Sequence, residues 1–407
     1  MPLTETADQL IPSLRQHQRR FLTIGLAGCL LSLLGLWTNP TQFFQSYLTA
    51  YMFLLGVTLG CLALGMVHQL SGGGWGVLIR RQIGAASRVL PVLTVLFLPI
   101  VFGLRYLYPW THADVVAGDE LLQHKQFYLN IPFFLVRTFV YFLVWNSLTY
   151  FLNAWSLEQD RTGNPRLARR MQVLSAGGLV GYGLTITFAS FDWLMSLEPH
   201  WFSTIYGVLV MGGQGLSAMA FLIVILAWLS RRPPLRDIAA PAHFHDLGNL
   251  LLAFVMLWAY FAFSQYLIIW SGNLPEEIAW YLHRLQTGWR LVAVLLVVFH
   301  FVVPFLLLLS RAVKREARTI VKVAVGILMM RLVDLHWLVA PEFHRQGISA
   351  SWLDVLLPIS LGSLWLGFFI RELRDRALLP VYDPQFDETL GRIIERAGER
   401  PSTAHQP

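Results

Sequence analysis

Cysteine and charge are both scarce in this 407-residue chain. Its two cysteines, Cys29 and Cys61, both fall inside apolar runs. That excludes a cysteine-held iron–sulfur cluster, a C-x-x-C-H haem attachment and a disulfide framework within the chain. Lone cysteines in such settings behave as small apolar residues. Charged residues make up only 14% of the chain against 55% hydrophobic, where a soluble protein carries about a quarter charged. A soluble all-helical protein would need polar helix faces, and the long segments here have almost none. The chain also lacks a G-x-S-x-G elbow, an H-E-x-x-H pair and a Walker loop, so no soluble catalytic constellation is expected.

What the chain does have is a series of apolar runs, each of about the 20 residues needed to cross a bilayer. They lie at 21–37, 44–67, 89–104, 129–155, 173–191, 203–229, 247–270, 291–309, 320–337 and 353–370. This predicts an all-α integral membrane protein with about ten transmembrane helices. Residues 1–20 form an N-terminal segment, 21–370 the polytopic domain and 371–407 a polar tail. One set of loops holds Arg15, Arg19 and Arg20, then Arg80, Arg81 and Arg88, Arg161 to Arg170, Arg231 to Arg236, Arg311 to Arg318, and Arg371 to Arg376. The other holds little beyond Arg105, Lys125, Arg284 and Arg345. By the positive-inside rule the basic side faces the cytoplasm, which makes both termini cytoplasmic. The net charge of +7 follows from this topology. It does not point to nucleic acid, because the basic residues sit at many span ends rather than in one patch.

Arg19-Arg20-Phe21-Leu22 is similar to a twin-arginine signal, and Leu26-Ala27-Gly28-Cys29 matches a lipoprotein cleavage box. Cleavage at Cys29 would halve a spanning helix, so the first span is expected to be an anchor. The tail should be extended at 379–384. An amphipathic helix is expected at 386–399, with Leu390, Ile393 and Ile394 on one face. Gly177 and Gly181, and then Gly212, Gly213 and Gly215, have the small-residue spacing that lets membrane helices approach closely.

The most informative stretch is FDWLMSLEPHWFSTIYG at 191–207. It places Asp192, Glu198 and His200 between two apolar runs, where charge is costly and usually retained for a reason. Trp193 and Trp201 flank it, as rings at a headgroup level would. Arg137, in the fourth span, is expected to meet a carboxylate such as Asp192 or Glu198, or else to anchor an anionic group or a quinone carbonyl. Arg331 lies about halfway across the ninth span, and Asp334, three residues on, falls on the same helix face. Pairing is nearly obligatory there. The pair is either part of a proton path with His336 or a packing ion pair, and sequence leaves both open. His300 lies mid-span, and Pro304 has no N–H to give its carbonyl. That predicts a kink, and polar partners or water must satisfy the break. No two histidines at matched depth are legible among His68, His300 and His336, so a bis-histidine haem is not expected. His243, His245 and Asp246 invite a metal, but Asp246 is also a natural helix N-cap, and the cap is preferred. No metal site and no catalytic residue are assigned.

At 191–207 the chain resembles the ActF-type membrane subunits of alternative complex III, a quinol:electron-acceptor oxidoreductase. HDLGN at 245–249, WAY at 258–260, FSQYLIIW at 263–270, GNLPEE at 272–277 and PVYDP at 380–384 are consistent with it. That family is related to the NrfD-type, or polysulfide-reductase-type, subunits. The resemblance implies ten helices, with two four-helix bundles plus two further helices. It implies a bacterial cytoplasmic membrane and a complex containing a sister NrfD-type subunit, multihaem cytochromes c and an iron–sulfur protein. The sister subunits carry a histidine in the fifth span where quinol is thought to dock. Here that stretch reads YGLTIT at 182–187, without a histidine able to accept the quinol proton.

The expectation is therefore a non-catalytic membrane subunit of a quinol-oxidising respiratory complex that binds no metal or haem of its own. Its proton-path candidates are His300, Arg331, Asp334 and His336. The alternatives are a quinone-binding redox subunit, with Arg137, Asp192, Glu198 and His200 around quinone or quinol, and a secondary transporter, which would show paired helix breaks in repeated halves.

Overall fold

The computed structural model describes residues 5–233 and 235–374. Among these there is no strand, and ten helices are long and apolar enough to cross a membrane. They are α1 (Pro12–Thr38), α2 (Pro40–Ser71), α3 (Arg80–Phe102), α4 (Ile131–Thr162), α5 (Pro165–Leu197), α6 (Tyr206–Leu229), α7 (Pro241–Gly272), α8 (Trp289–Leu309), α9 (Ala317–Glu342) and α10 (Leu353–Arg374). The chain is an all-α, multi-pass membrane protein. The extended segment and amphipathic helix expected in the tail lie outside the described residues.

Helices α2 to α5 pack as one four-helix bundle and α6 to α9 as a second, joined where α2 meets α6. The remaining two, α1 and α10, pair with each other, and α10 also lies on α2 and α3. Small residues allow the α1–α10 contact. A Cβ at Gly25, Gly28 or Gly35 would fall within 3.0 Å of Leu364, Ser360 or Leu353, and backbone proximity supplies association energy in lipid. The Gly177/Gly181 spacing on α5 has no such role inside the chain. A Cβ at Gly177 would meet nothing within 4 Å, and one at Gly181 makes only ordinary contact with Val144.

Short polar signals set the helix ends. Asn39 and Asn130 accept from the backbone of Gln42 and Phe133 and so cap α2 and α4. Gly163, at φ 63°, ends α4 in the left-handed region, and Asn164 then caps α5. Several helices run past the apolar limits expected for them. The first helix reaches back to Glu5, and α3 starts at Arg80 rather than 89. The arginines that mark an edge in sequence are paired in space, so the helix can continue through them. Arg81 bonds Asp160 at 2.6 Å, and Arg88 bonds Glu372 at 2.8 Å and Asn153 at 2.9 Å.

Pro91 and Pro99 break α3 into three pieces, Arg80–Ser87, Leu90–Val95 and Leu98–Phe102. Exposed carbonyls are untenable inside a bilayer. Tyr51 donates to the Leu93 carbonyl at 2.9 Å, and Tyr47 donates to that of Leu96 at 2.7 Å. Two tyrosines one helical turn apart on α2 thus heal the interruption in α3.

Candidate functional site

Two buried ionic clusters lie toward the face opposite the arginine-rich loops. In the first bundle, Arg137 on α4 meets Asp192 on α5 through two bonds, Nε to Oδ2 at 2.8 Å and Nη2 to Oδ1 at 2.9 Å. Tyr141 donates to Asp192 Oδ2 at 2.7 Å, and Arg137 Nη1 donates to the Tyr128 carbonyl at 2.9 Å. The guanidinium also lies over the Tyr128 and Phe133 rings. Asp192 is fully buried. Such a pair is strongly held because losing either member strands a buried charge. Of the two expectations for Arg137, the carboxylate partner is the one found.

The turn that follows connects α5 to α6, and its two flanking rings are covered by protein. Trp193 and Trp201 are both buried. Trp193 packs among Phe97, Phe142 and Trp145 and donates to Thr138 at 3.2 Å. Trp201 stacks on Trp280 at 4.7 Å between ring centres. Trp193 is thus covered by side chains of α3 and α4, while Trp201 is covered by the short helix Pro275–Leu285.

The same helix carries Arg284, the centre of a second cluster that spans three parts of the chain. Arg284 is fully buried and stacks on Trp280 at 3.6 Å. It faces Glu342 at 3.4 Å and Glu198 at 3.7 Å, and donates to the Trp280 and Leu338 carbonyls at 3.3 Å. Glu342 is the better compensated acid, with Arg345 at 3.1 Å and His283 at 4.0 Å as well. Glu198 has the more distant contact with the shared arginine. Burial, with the neighbouring Glu342 carboxylate as the next cause, pushes Glu198 up to about 8. The protonated form of Glu198 is favoured as a result.

His200 is placed elsewhere. It is exposed and pairs with Asp119 at 2.6 Å, while Lys125 bonds the Pro199 carbonyl. Asp119 also caps the helix Glu120–Lys125 through the Leu121 and Leu122 amides. The backbone amide of Leu122 is the leading cause that holds this carboxyl below its usual range. The loop before α4 is thereby latched to the turn after α5. Arg137 and Asp192 thus come together, while Glu198 and His200 each belong to a separate cluster. The four do not surround one headgroup.

Deeper in the second bundle, Arg331 bonds Asp334 as the spacing on α9 suggested, and Trp258 of α7 donates to Asp334 at 3.0 Å. Gly213 of α6 makes room for this arginine: a Cβ there would fall 2.2 Å from the guanidinium carbon. A cavity of about 10 Å³, roughly one water in size, adjoins Arg331 between α2, α6 and α9. His300 is fully buried with its ring 4.3 Å from Trp258. Neither ring nitrogen has a hydrogen-bond partner among the described residues. The expected kink takes a definite form. Residues Leu296–Val302 are π-helical, with the Val303 N–H bonded to the Val298 carbonyl five residues back. Such wide turns are frequent at functional sites.

Two expectations are corrected here. His336 does not join Arg331 and Asp334. It packs on Trp289 at 5.7 Å and lies in the field of Asp354 and His344, because five residues on from Arg331 a helix has turned well away. Asp246 is not an N-cap. Helix α7 begins at Pro241, and the His243 ring accepts from the Ala240 amide at 3.1 Å.

A further network went unseen in sequence. Asp354 accepts from Ser46 at 2.6 Å and Gln42 at 3.0 Å, and His344 bonds Gln42 at 3.0 Å. No local signal links these residues, which come from α2, the α9–α10 connection and the first turn of α10. Arg284 was visible only as a rare basic residue on the sparsely charged side, and Glu342 not at all. Tyr206, at the start of α6, is buried within the field of both Arg284–Glu342 and Arg331–Asp334.

No protein-family model matches the chain, and no curated protein matches it.

Proposed function

We propose that this chain is a membrane subunit of a quinol-oxidising respiratory complex of the alternative complex III type. It is structural and proton-conducting rather than the main quinol site. The likeness of residues 191–207 to ActF-type subunits motivates the assignment. The observation that carries the proton-conducting part is the succession of ionisable groups in the second bundle. It runs from Glu198, Glu342 and Arg284 at the surface, past Tyr206, to Arg331, Asp334 and His300 within the membrane. A protonated carboxylic acid at the surface end is a suitable point for proton exchange. In this assignment His336 is a lateral residue, and the arginine-rich face is cytoplasmic in a bacterial inner membrane.

The quinone-site alternative is weaker. Arg137 and Asp192 satisfy each other, and the remaining candidates are dispersed. The transporter alternative needs breaks at corresponding positions in the two halves. The breaks here fall in α3, the second helix of its bundle, and in α8, the third of its own.

Purification from native membranes in mild detergent, with mass spectrometry and a haem spectrum, tests the assignment. Recovery of a sister NrfD-type subunit, an iron–sulfur protein and c-type haem supports it. A stable, colourless chain recovered alone overturns it. Within the assembled complex, Asp334→Asn should lower proton translocation without loss of subunits. Loss of assembly instead makes the pair a packing device.

A further inference from the structure

We propose that the cleft between the ends of α6 and α9 on the arginine-rich face is a specific binding site for an anionic phospholipid. Ala227, Ser230 and Arg231 line it from α6, and Ala317 and Arg318 from α9. Its volume is about 520 Å³, within the range of pockets that hold small ligands. The two alanines are the reason it is open, since larger side chains at helix ends this close would close it.

Among the described residues the charge at its mouth is uncompensated. Arg231 and Arg318 have no ion pair or hydrogen bond among the described residues, and neither has Lys322, one turn deeper on α9. Three other cations on this face are occupied: Arg81 by Asp160, Arg88 by Glu372 and Lys314 by Asn249. Glu316, adjacent to Ala317 in the chain, is hydrogen-bonded by Thr319. Basic pockets between membrane helices are suited to acidic headgroups, and each cation near the surface contributes about a five-fold preference.

The surface below the cleft selects a lipid over a free anion. Arg318, Lys322, Val325 and Met329 are spaced i, i+4, i+7 and i+11, so they share one face of α9. All four are exposed, and the two apolar ones are among the large hydrophobic side chains that face outward. A phosphate held by Arg231 and Arg318 would place its acyl chain along Val325 and Met329, with Lys322 at the level of the second phosphate or the glycerol. One helix face therefore passes from cationic to apolar in the order of a phospholipid.

The test uses the full chain, delipidated in detergent and titrated with cardiolipin, phosphatidylglycerol or phosphatidylcholine, with retained lipid read by native mass spectrometry. The R231Q/R318Q variant should weaken cardiolipin retention about 30-fold. R19Q/R20Q removes the same charge from a basic patch on α1 and should leave retention unchanged. Ala227→Trp fills the cleft without altering charge and should also abolish retention, which separates a built site from bulk attraction. Equal losses in the two arginine double variants would overturn the proposal. So would unchanged retention in Ala227→Trp, or displacement of the lipid by inorganic phosphate at equal concentration.

Discussion

Replacing Glu198 by Gln tests the charge state of the Arg284 cluster. Gln has the shape of the protonated acid and cannot ionise. Glu198 is raised from 4.5 to about 8 by burial and by Glu342. In the unfolded chain the same carboxyl ionises near 4.5, so between these values the native state holds one proton that the unfolded state has released. Native stability then falls as pH rises, by about 1.4 kcal/mol per pH unit for one proton, and levels off above about 8. From pH 5 to 7 the loss is about 3 kcal/mol. Glu198→Gln removes this slope. Followed by tryptophan fluorescence during thermal unfolding in detergent, the variant should match the wild type near pH 5 and gain steadily on it up to pH 8, with a constant difference beyond. The infrared carbonyl band of a protonated carboxylic acid at pH 7 should weaken in the variant. If the variant is less stable than the wild type by the same amount at pH 5 and 7, Glu198 is an ionised partner of Arg284 and the reasoning fails.

Arg137→Met strands the fully buried Asp192 and should cost about 3–5 kcal/mol, most of it recovered when Asp192→Asn is added; a double-mutant cycle measures this coupling. Gly213→Ala drives a methyl group into the Arg331 guanidinium and should destabilise by about 1–3 kcal/mol. Gly177→Ala meets nothing and should stay within about 0.5 kcal/mol, so equal effects in the same unfolding assay would contradict the packing described. Tyr47→Phe leaves the Leu96 carbonyl without its donor at the break in α3. The expected loss is about 1–3 kcal/mol, with faster amide exchange confined to α3.

The features legible in sequence were those decided by local physics. Apolar length and arginine bias are summed over neighbouring residues, so the ten spans and the distinct basic face could be counted directly. Arg331 and Asp334 pair through the pitch of one helix, which spacing alone specifies. The cost of buried charge also pointed Arg137 toward a carboxylate.

Sequence by itself therefore determined the class of molecule, the number of crossings and the obligation of each intramembrane charge to find a partner. It marked Trp193 and Trp201 as rings bordering a polar turn, and only tertiary packing decided that both are buried in protein, Trp201 under the helix Pro275–Leu285 and Trp193 against α3 and α4. Tertiary structure alone decided which partners meet. Arg284 lies 86 residues from Glu198 and 58 from Glu342, and Gln42 meets Asp354 across 312 residues. Hydropathy and helical period carry no information at such separations. Burial then raises Glu198 above the usual carboxylate range, because the desolvation of a carboxylate depends on every element that closes over it.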